Sequence, residues 1–200
     1  VAELSEVGGG KHLRLRLTRG SHAWGAIFFS TNAQRAAVAQ GDIVDAAFTP
    51  QINEYRGVRT VQLNIVDIRP DETIRRAQTH DRALYQRHLS GDALSCAEAG
   101  ELLPTRQDFV AVWRYLSAFC RDEQLAEELG CLSRKISRCT GLALSPAKTR
   151  VCLDVFAEQG LLQLEQRPKA LHIRLCADGR KVDLEQSPIL IHLKKQKAGI

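Results

Sequence analysis

The stretch that most constrains this chain is Gly41 to Pro70, GDIVDAAFTPQINEYRGVRTVQLNIVDIRP. It reads as two long strands joined at a tight turn. Ile43, Val44, Ala46, Phe48 and Ile52 populate the first, and Val58, Val61, Leu63, Ile65, Val66 and Ile68 the second. Arg56-Gly57 marks the turn, where glycine takes a positive φ without steric cost. Val61, Leu63 and Ile65 alternate with Thr60, Gln62 and Asn64, the period of a strand with one buried and one wet face. Pro70 ends the ladder because it has no N–H to donate. A hairpin this long is not stable alone, so further strands are expected to cover it.

Those strands lie upstream. Lys11 to Thr18, KHLRLRLT, alternates strictly: Leu13, Leu15 and Leu17 face one way, and His12, Arg14 and Arg16 the other. Ala23 to Ser30 makes a second strand carrying Trp24, Phe28 and Phe29, and Asn32 to Gln40 fits a short helix or loop. At least four short antiparallel strands in about seventy residues favour closure into a small barrel, which removes exposed edges. A five-stranded barrel of the OB type fits. Such barrels bind single-stranded nucleic acid through aromatic stacking beside a basic groove. The candidates for that work are Arg14, Arg16, Trp24, Tyr55, Arg56 and Arg59. Trp24, Phe28 and Phe29 are residues that more often fill a core than stack on bases. Charge does not decide the matter, with eight Lys and Arg against six Asp and Glu up to Pro70.

The pieces Gly41-Asp42-Ile43-Val44-Asp45, Asn53-Glu54-Tyr55-Arg56-Gly57 and Val61-Gln62-Leu63, in that order, make Lys11 to Pro70 resemble the OB domain that follows the catalytic core in RecJ-type exonucleases. The resemblance implies a protein that handles single-stranded DNA in repair and recombination. It also implies a parent enzyme that degrades single strands from the 5′ end with divalent metal, Mg or Mn. The Asp-His-His and related acidic motifs that hold such metal are not in this sequence. The chain also has no methionine. Together these lead to the expectation of a non-catalytic fragment, without cofactor of its own, whose catalytic core lies upstream of Val1.

Asp71 to Gly91 reads as a mostly exposed linking helix with Arg75, Arg76, Arg82 and Arg87 on more than one side, capped by Asp71 and ended by Gly91. Ser95 to Glu98 matches a capping box. Beyond it, Phe109, Val112, Trp113, Leu116 and Phe119 form an amphipathic helical stripe. A second short helix is expected over Glu123 to Leu129. A third is expected over Ala147 to Gln159, with Ser145-Pro146 as cap and first turn. Leu161 to Leu164 and Leu171 to Cys176 read as a hairpin, and Ile189 to Leu193 as a last helix with a frayed lysine tail. Three helices and a hairpin make a winged-helix-like order. There the third helix can enter a DNA groove. Between Cys131 and Arg150 stand five basic residues and no acidic one: Arg134, Lys135, Arg138, Lys148 and Arg150. Such a cluster can neutralise phosphates. Winged helices also serve as docking modules, and the spacing Leu132 to Ser145 is long for a helix-turn-helix. Asp108 to Leu116, Val151 to Leu162 and Lys181 to Ser187 resemble the extra C-terminal region of some Gram-positive RecJ proteins.

The expected fold is therefore α+β in two domains: an OB-type barrel over 1–70, a helical connector over 71–104 and a winged-helix-like domain over 105–200. Six cysteines without a C-x-x-C pair point to buried free thiols in a reducing cytoplasm, and scattered histidines point away from a structural metal. No apolar run is long enough to span a bilayer. The expected partners are single-stranded DNA, a single-strand-binding protein or helicase, and the upstream catalytic core. The rival expectations are a protein-interaction platform with little DNA affinity and a winged-helix regulator of duplex DNA.

Overall fold

In the computed structural model, which describes residues 1–55, 57–120, 124–168, 170–176 and 182–199, the alternating stretches become strands. They are β1 (Glu3–Val7), β2 (His12–Arg19), β3 (His22–Phe28), β4 (Val44–Tyr55) and β5 (Val58–Pro70), with a one-turn helix α1 (Ala33–Ala36) before β4. The five strands form one sheet in the order β1-β2-β3-β5-β4. All neighbours are antiparallel except β3 and β5, which run parallel through Gly25–Ile27 and Gln62–Asn64. β1 and β4 share no ladder. Val1 joins the two edges instead: its carbonyl accepts from the Gly41 amide at 2.7 Å and its nitrogen donates to the Asp42 carbonyl at 2.8 Å. The result is a partly open five-stranded barrel, as OB folds are.

The inner faces of these strands enclose Leu13, Leu15, Ala26, Leu63, Ile65 and Ile68, and Val38 closes one end. Val38 is followed by Asp42, buried with its carboxylate accepting from the Ala39 amide at 2.8 Å. The long hairpin turns at Gly57, φ +79°. One expectation fails here. The other strands do not cover the whole hairpin: Ile52, Val58 and Val61 are 60%, 62% and 54% exposed, because β3 reaches β5 only as far as Gln62.

The chain divides into two compact units, Val1–Arg75 and Arg76–Ile200. The division falls inside helix α2 (Glu72–Leu89), whose first turn is capped by the Asp71 carboxylate accepting from the Ile74 amide at 3.0 Å. The second unit continues with α3 (Cys96–Leu102), α4 (Arg106–Phe119), β6 (Leu125–Glu127), α5 (Leu129–Thr140), α6 (Pro146–Glu158), β7 (Leu162–Arg167), β8 (Ala170–Leu175), a 3-10 turn (Leu184–Gln186) and α7 (Pro188–Ala198). Its sheet has the order β6-β8-β7. Ser95 and Glu98 form a complete capping box on α3, and Thr105 and Asp108 do the same for α4.

The architecture is α+β, but several local expectations for this half need correction. The stretch 124–128 is not a helix. Leu125, Ala126 and Glu127 pair with Ile173, His172 and Leu171 of β8, and this long-range ladder outweighs their helix propensity. The long spacing before Ser145 is filled by α5, which starts at Leu129. The linking helix over 71–91 is mostly exposed, as expected, but it is not only a link: Leu84 and Tyr85 are buried in the second unit's core, together with Leu94, Ala99 and Leu102 further on. Phe119 is 59% exposed, resting on Tyr115 at 4.6 Å rather than completing the buried stripe. The lysine tail is helical to Ala198, with Leu190 and Leu193 buried. The six cysteines are free, but only Cys120, Cys131 and Cys152 are buried as expected; Cys96 and Cys139 are exposed and Cys176 is half-buried, since they fall outside the packed faces of their segments.

Candidate nucleic-acid interface

Residues directly opposite in a ladder share a face, so strand register decides which candidates meet. On the outer face of the barrel one row runs Glu3, Arg16, Gly25, Gln62 and Gln51, and the next runs Ser5, Arg14, Ile27, Asn64 and Thr49. Arg14 and Arg16 thus stand side by side on β2, both exposed. Gly25 beside Arg16 leaves bare backbone; a Cβ placed there would meet no heavy atom within 4 Å. Gln62 and Asn64 continue the surface with amides, and Asn64 Nδ2 donates to Gln51 Oε1 at 2.6 Å. A shallow face of guanidinium, bare backbone and amides can take phosphates and flat polar groups together.

The arginines already have local partners. Arg16 Nη1 sits 3.2 Å from Glu3 Oε1, and Arg14 Nε donates to Ser5 Oγ at 3.3 Å. The Arg16–Glu3 pair is solvated, with side chains 55% and 67% exposed. A pair of that kind is worth about 0–1 kcal/mol, small enough for a phosphate to replace the carboxylate. Arg59 lies near the hairpin's end, 3.8 Å from Glu54 in an equally exposed pair.

Trp24 is not part of this face. It opposes Leu17 in the register, shares the inner side with Leu13 and Leu15, and packs against the barrel core with its ring stacked on His22. Its alternation with Ala26 and Phe28 already carried that signal. Arg56 and the side chain of Tyr55 lie outside the described residues. Gly25, Gln62, Asn64 and Gln51 were missed as site residues, since only register brings β3, β5 and β4 alongside Arg14 and Arg16 in two adjoining rows.

The five candidate cations between Cys131 and Arg150 do not assemble into one free basic surface. Lys135 pairs with Glu127, and Lys148 lies 4.0 Å from Asp108. Arg150 is mostly buried: its Nε donates to Asp154 Oδ1 at 2.9 Å, its Nη1 donates to Gln166 Oε1 at 2.8 Å, and it covers the Tyr85 ring at 5.5 Å. Tyr85 in turn donates to Asp154 Oδ2 at 2.6 Å, and burial pushes its hydroxyl pKa well up. Arg134 is half-buried, and Arg138 is exposed. Helix α6 is exposed only at Glu158; Lys148, Arg150, Asp154 and Ala157 are half-buried, and most of the rest is buried. Among the described residues, no three His, Cys, Asp or Glu side chains gather as a metal site. Among them, too, no helix is long and apolar enough to cross a membrane.

The first unit is, by strand order, parallel β3–β5 pairing and the helix between β3 and β4, an OB-type barrel. Residues 1–67 match the family model described as the RecJ OB domain, and this part of the chain is a RecJ-type OB region. No curated protein and no solved structure matches the chain.

Proposed function

We propose that this chain is a non-catalytic region of a RecJ-type, single-stranded-DNA-specific 5′-3′ exonuclease of DNA repair and recombination. Its OB unit holds single-stranded DNA for a metal-dependent catalytic core elsewhere in the parent protein. The observation that carries this reading is the outer face of a RecJ-type OB region, where Arg14 and Arg16 stand together beside the bare backbone of Gly25. The β2–β3 face is where OB folds take oligonucleotides. Free thiols and the absence of disulfides among the described cysteines agree with a cytoplasmic setting.

The second unit is best read as a winged helix kept for docking. The order α4-β6-α5-α6-β7-β8, with β6 paired to β8, supports the fold. The pairing of the α6 cations Lys148 and Arg150 with Asp108 and Asp154 favours a protein partner, such as a single-strand-binding protein or helicase, over duplex DNA. Fluorescence anisotropy of the chain with a labelled single strand and a matching duplex tests both readings. Salt-sensitive binding to the single strand is expected, with the duplex bound at least about tenfold more weakly. Equal or tighter duplex binding would overturn the assignment, and no binding to either would leave only the docking role.

A further inference from the structure

Three glycines in a row, Gly8, Gly9 and Gly10, join β1 to β2, all left-handed at φ +62°, +66° and +80°. Beside this turn opens a cleft of about 370 Å³, lined by Gly10, Lys11, His12, Ser30, Thr31 and Arg35 among others. Two cross-links fix its walls before any ligand arrives. Glu6 Oε1 accepts from the Ala33 amide at 3.0 Å, tying β1 to the start of α1. His12 Nδ1 accepts from the Ser30 amide at 3.1 Å, and Ser30 holds a left-handed φ of +56° to present it. A non-glycine residue in that region is strained, and such strain collects where a structure is shaped for a ligand. Since Nδ1 accepts, the His12 ring carries its proton on Nε2.

The cations of the cleft differ from Arg16 and Arg59 on the sheet, and resemble Arg14 in having no ion pair among the described residues. Among the described residues no carboxylate forms an ion pair with Lys11 or Arg35, whereas Arg16 and Arg59 each have one. Arg35 has only a long bond, from Nη1 to the Ser30 carbonyl at 3.5 Å. No acidic residue lines the cleft, although Glu6 stands close by, with Oε2 3.4 Å from where a Gly10 Cβ would be. Two unpaired cations, the Ser30 and Thr31 hydroxyls and a glycine turn free of side chains form a preorganised anion seat. It continues the basic row: His12, Arg14 and Arg16 share the outer face of β2 and span about 13 Å at strand rise.

We propose that this cleft seats one backbone phosphate of a single strand lying along β2, with Lys11 and Arg35 as its cations. The proposal rests on the single-stranded-DNA reading of the OB unit. The test is anisotropy of the whole chain with labelled oligothymidylate across a salt series, comparing wild type with the Lys11→Gln/Arg35→Gln variant. A single strand with one phosphate fewer neutralised has a log–log salt slope shallower by about 0.7, so the variant loses roughly threefold less affinity than wild type between about 50 and 200 mM salt. A slope equal to wild type, with affinity within about twofold, overturns the cleft and leaves the reading of the OB face standing. If wild type binds no single strand, that reading fails, and inorganic phosphate decides the cleft alone. Shifts of the Gly8, Gly9, Gly10 and Ser30 amide resonances in wild type, abolished in the variant, sustain it; no shifts overturn it. Both side chains are exposed, and Lys11→Gln alone serves if the double variant fails to fold.

Discussion

Replacing Arg14 and Arg16 by alanine separates a DNA surface from a solvated face. The structure sets both sides of the comparison. Among the described residues Arg16 is tied to the exposed Glu3 carboxylate and Arg14 to the Ser5 hydroxyl, so the cost to folding is that of surface interactions, about 1 kcal/mol or less. If each guanidinium neutralises one phosphate, the pair accounts for about 1.4 of the salt slope for a single strand. Over a fourfold rise in salt, from about 50 to 200 mM, that is a factor of about seven in affinity that wild type loses and the variant does not. Glu3→Gln is the counter-test: it frees Arg16 from its carboxylate and removes a negative charge from the row, so single-strand affinity should rise. Anisotropy titrations at four salt concentrations give the slopes, and thermal melts of all three proteins control for folding. A double variant that stays folded and keeps the wild-type slope, together with an unmoved Glu3→Gln, would refute the assignment of this face to DNA.

Two further outcomes follow from the second unit. Arg150→Ala should lower its stability by about 1–3 kcal/mol in urea titration, discounted from a fully buried pair because Arg150 and Asp154 keep 17% and 18% exposure, while leaving single-strand affinity unchanged; a loss of DNA binding without a loss of stability would restore Arg150 to the interface. The Glu98 carboxyl is held at about 2, first by its bond from Arg87 and then by the Ser95 backbone amide and hydroxyl. Its folded pKa lies below the ordinary glutamate value, so its contribution is present above that value and fades as pH falls toward about 2. The stability gap between wild type and Glu98→Gln should therefore be widest near neutral pH and narrow between about pH 4.5 and 2, as read by chemical denaturation across that range; a gap independent of pH would remove Glu98 from the cap of α3.

Local pattern determined much of this protein. The period of two through Leu13, Leu15 and Leu17 and through Val61, Leu63 and Ile65 fixed the strands, and Ser145-Pro146 and Thr105-Asp108 fixed where α6 and α4 begin, because caps and alternation act between near neighbours. Tertiary structure decided the rest. Leu125 to Glu127 is a strand only because β8 lies alongside it. Arg16 meets Glu3, and Trp24 turns inward, only through pairing across strands. Arg150 looked like a free cation until Tyr85, sixty-five positions earlier in the chain, and Asp154 closed around it. The physical reason is the same in each case: a side chain's type and period are local properties, but its partner is set by the approach of distant segments, and charge becomes available to a ligand only where folding leaves it without one.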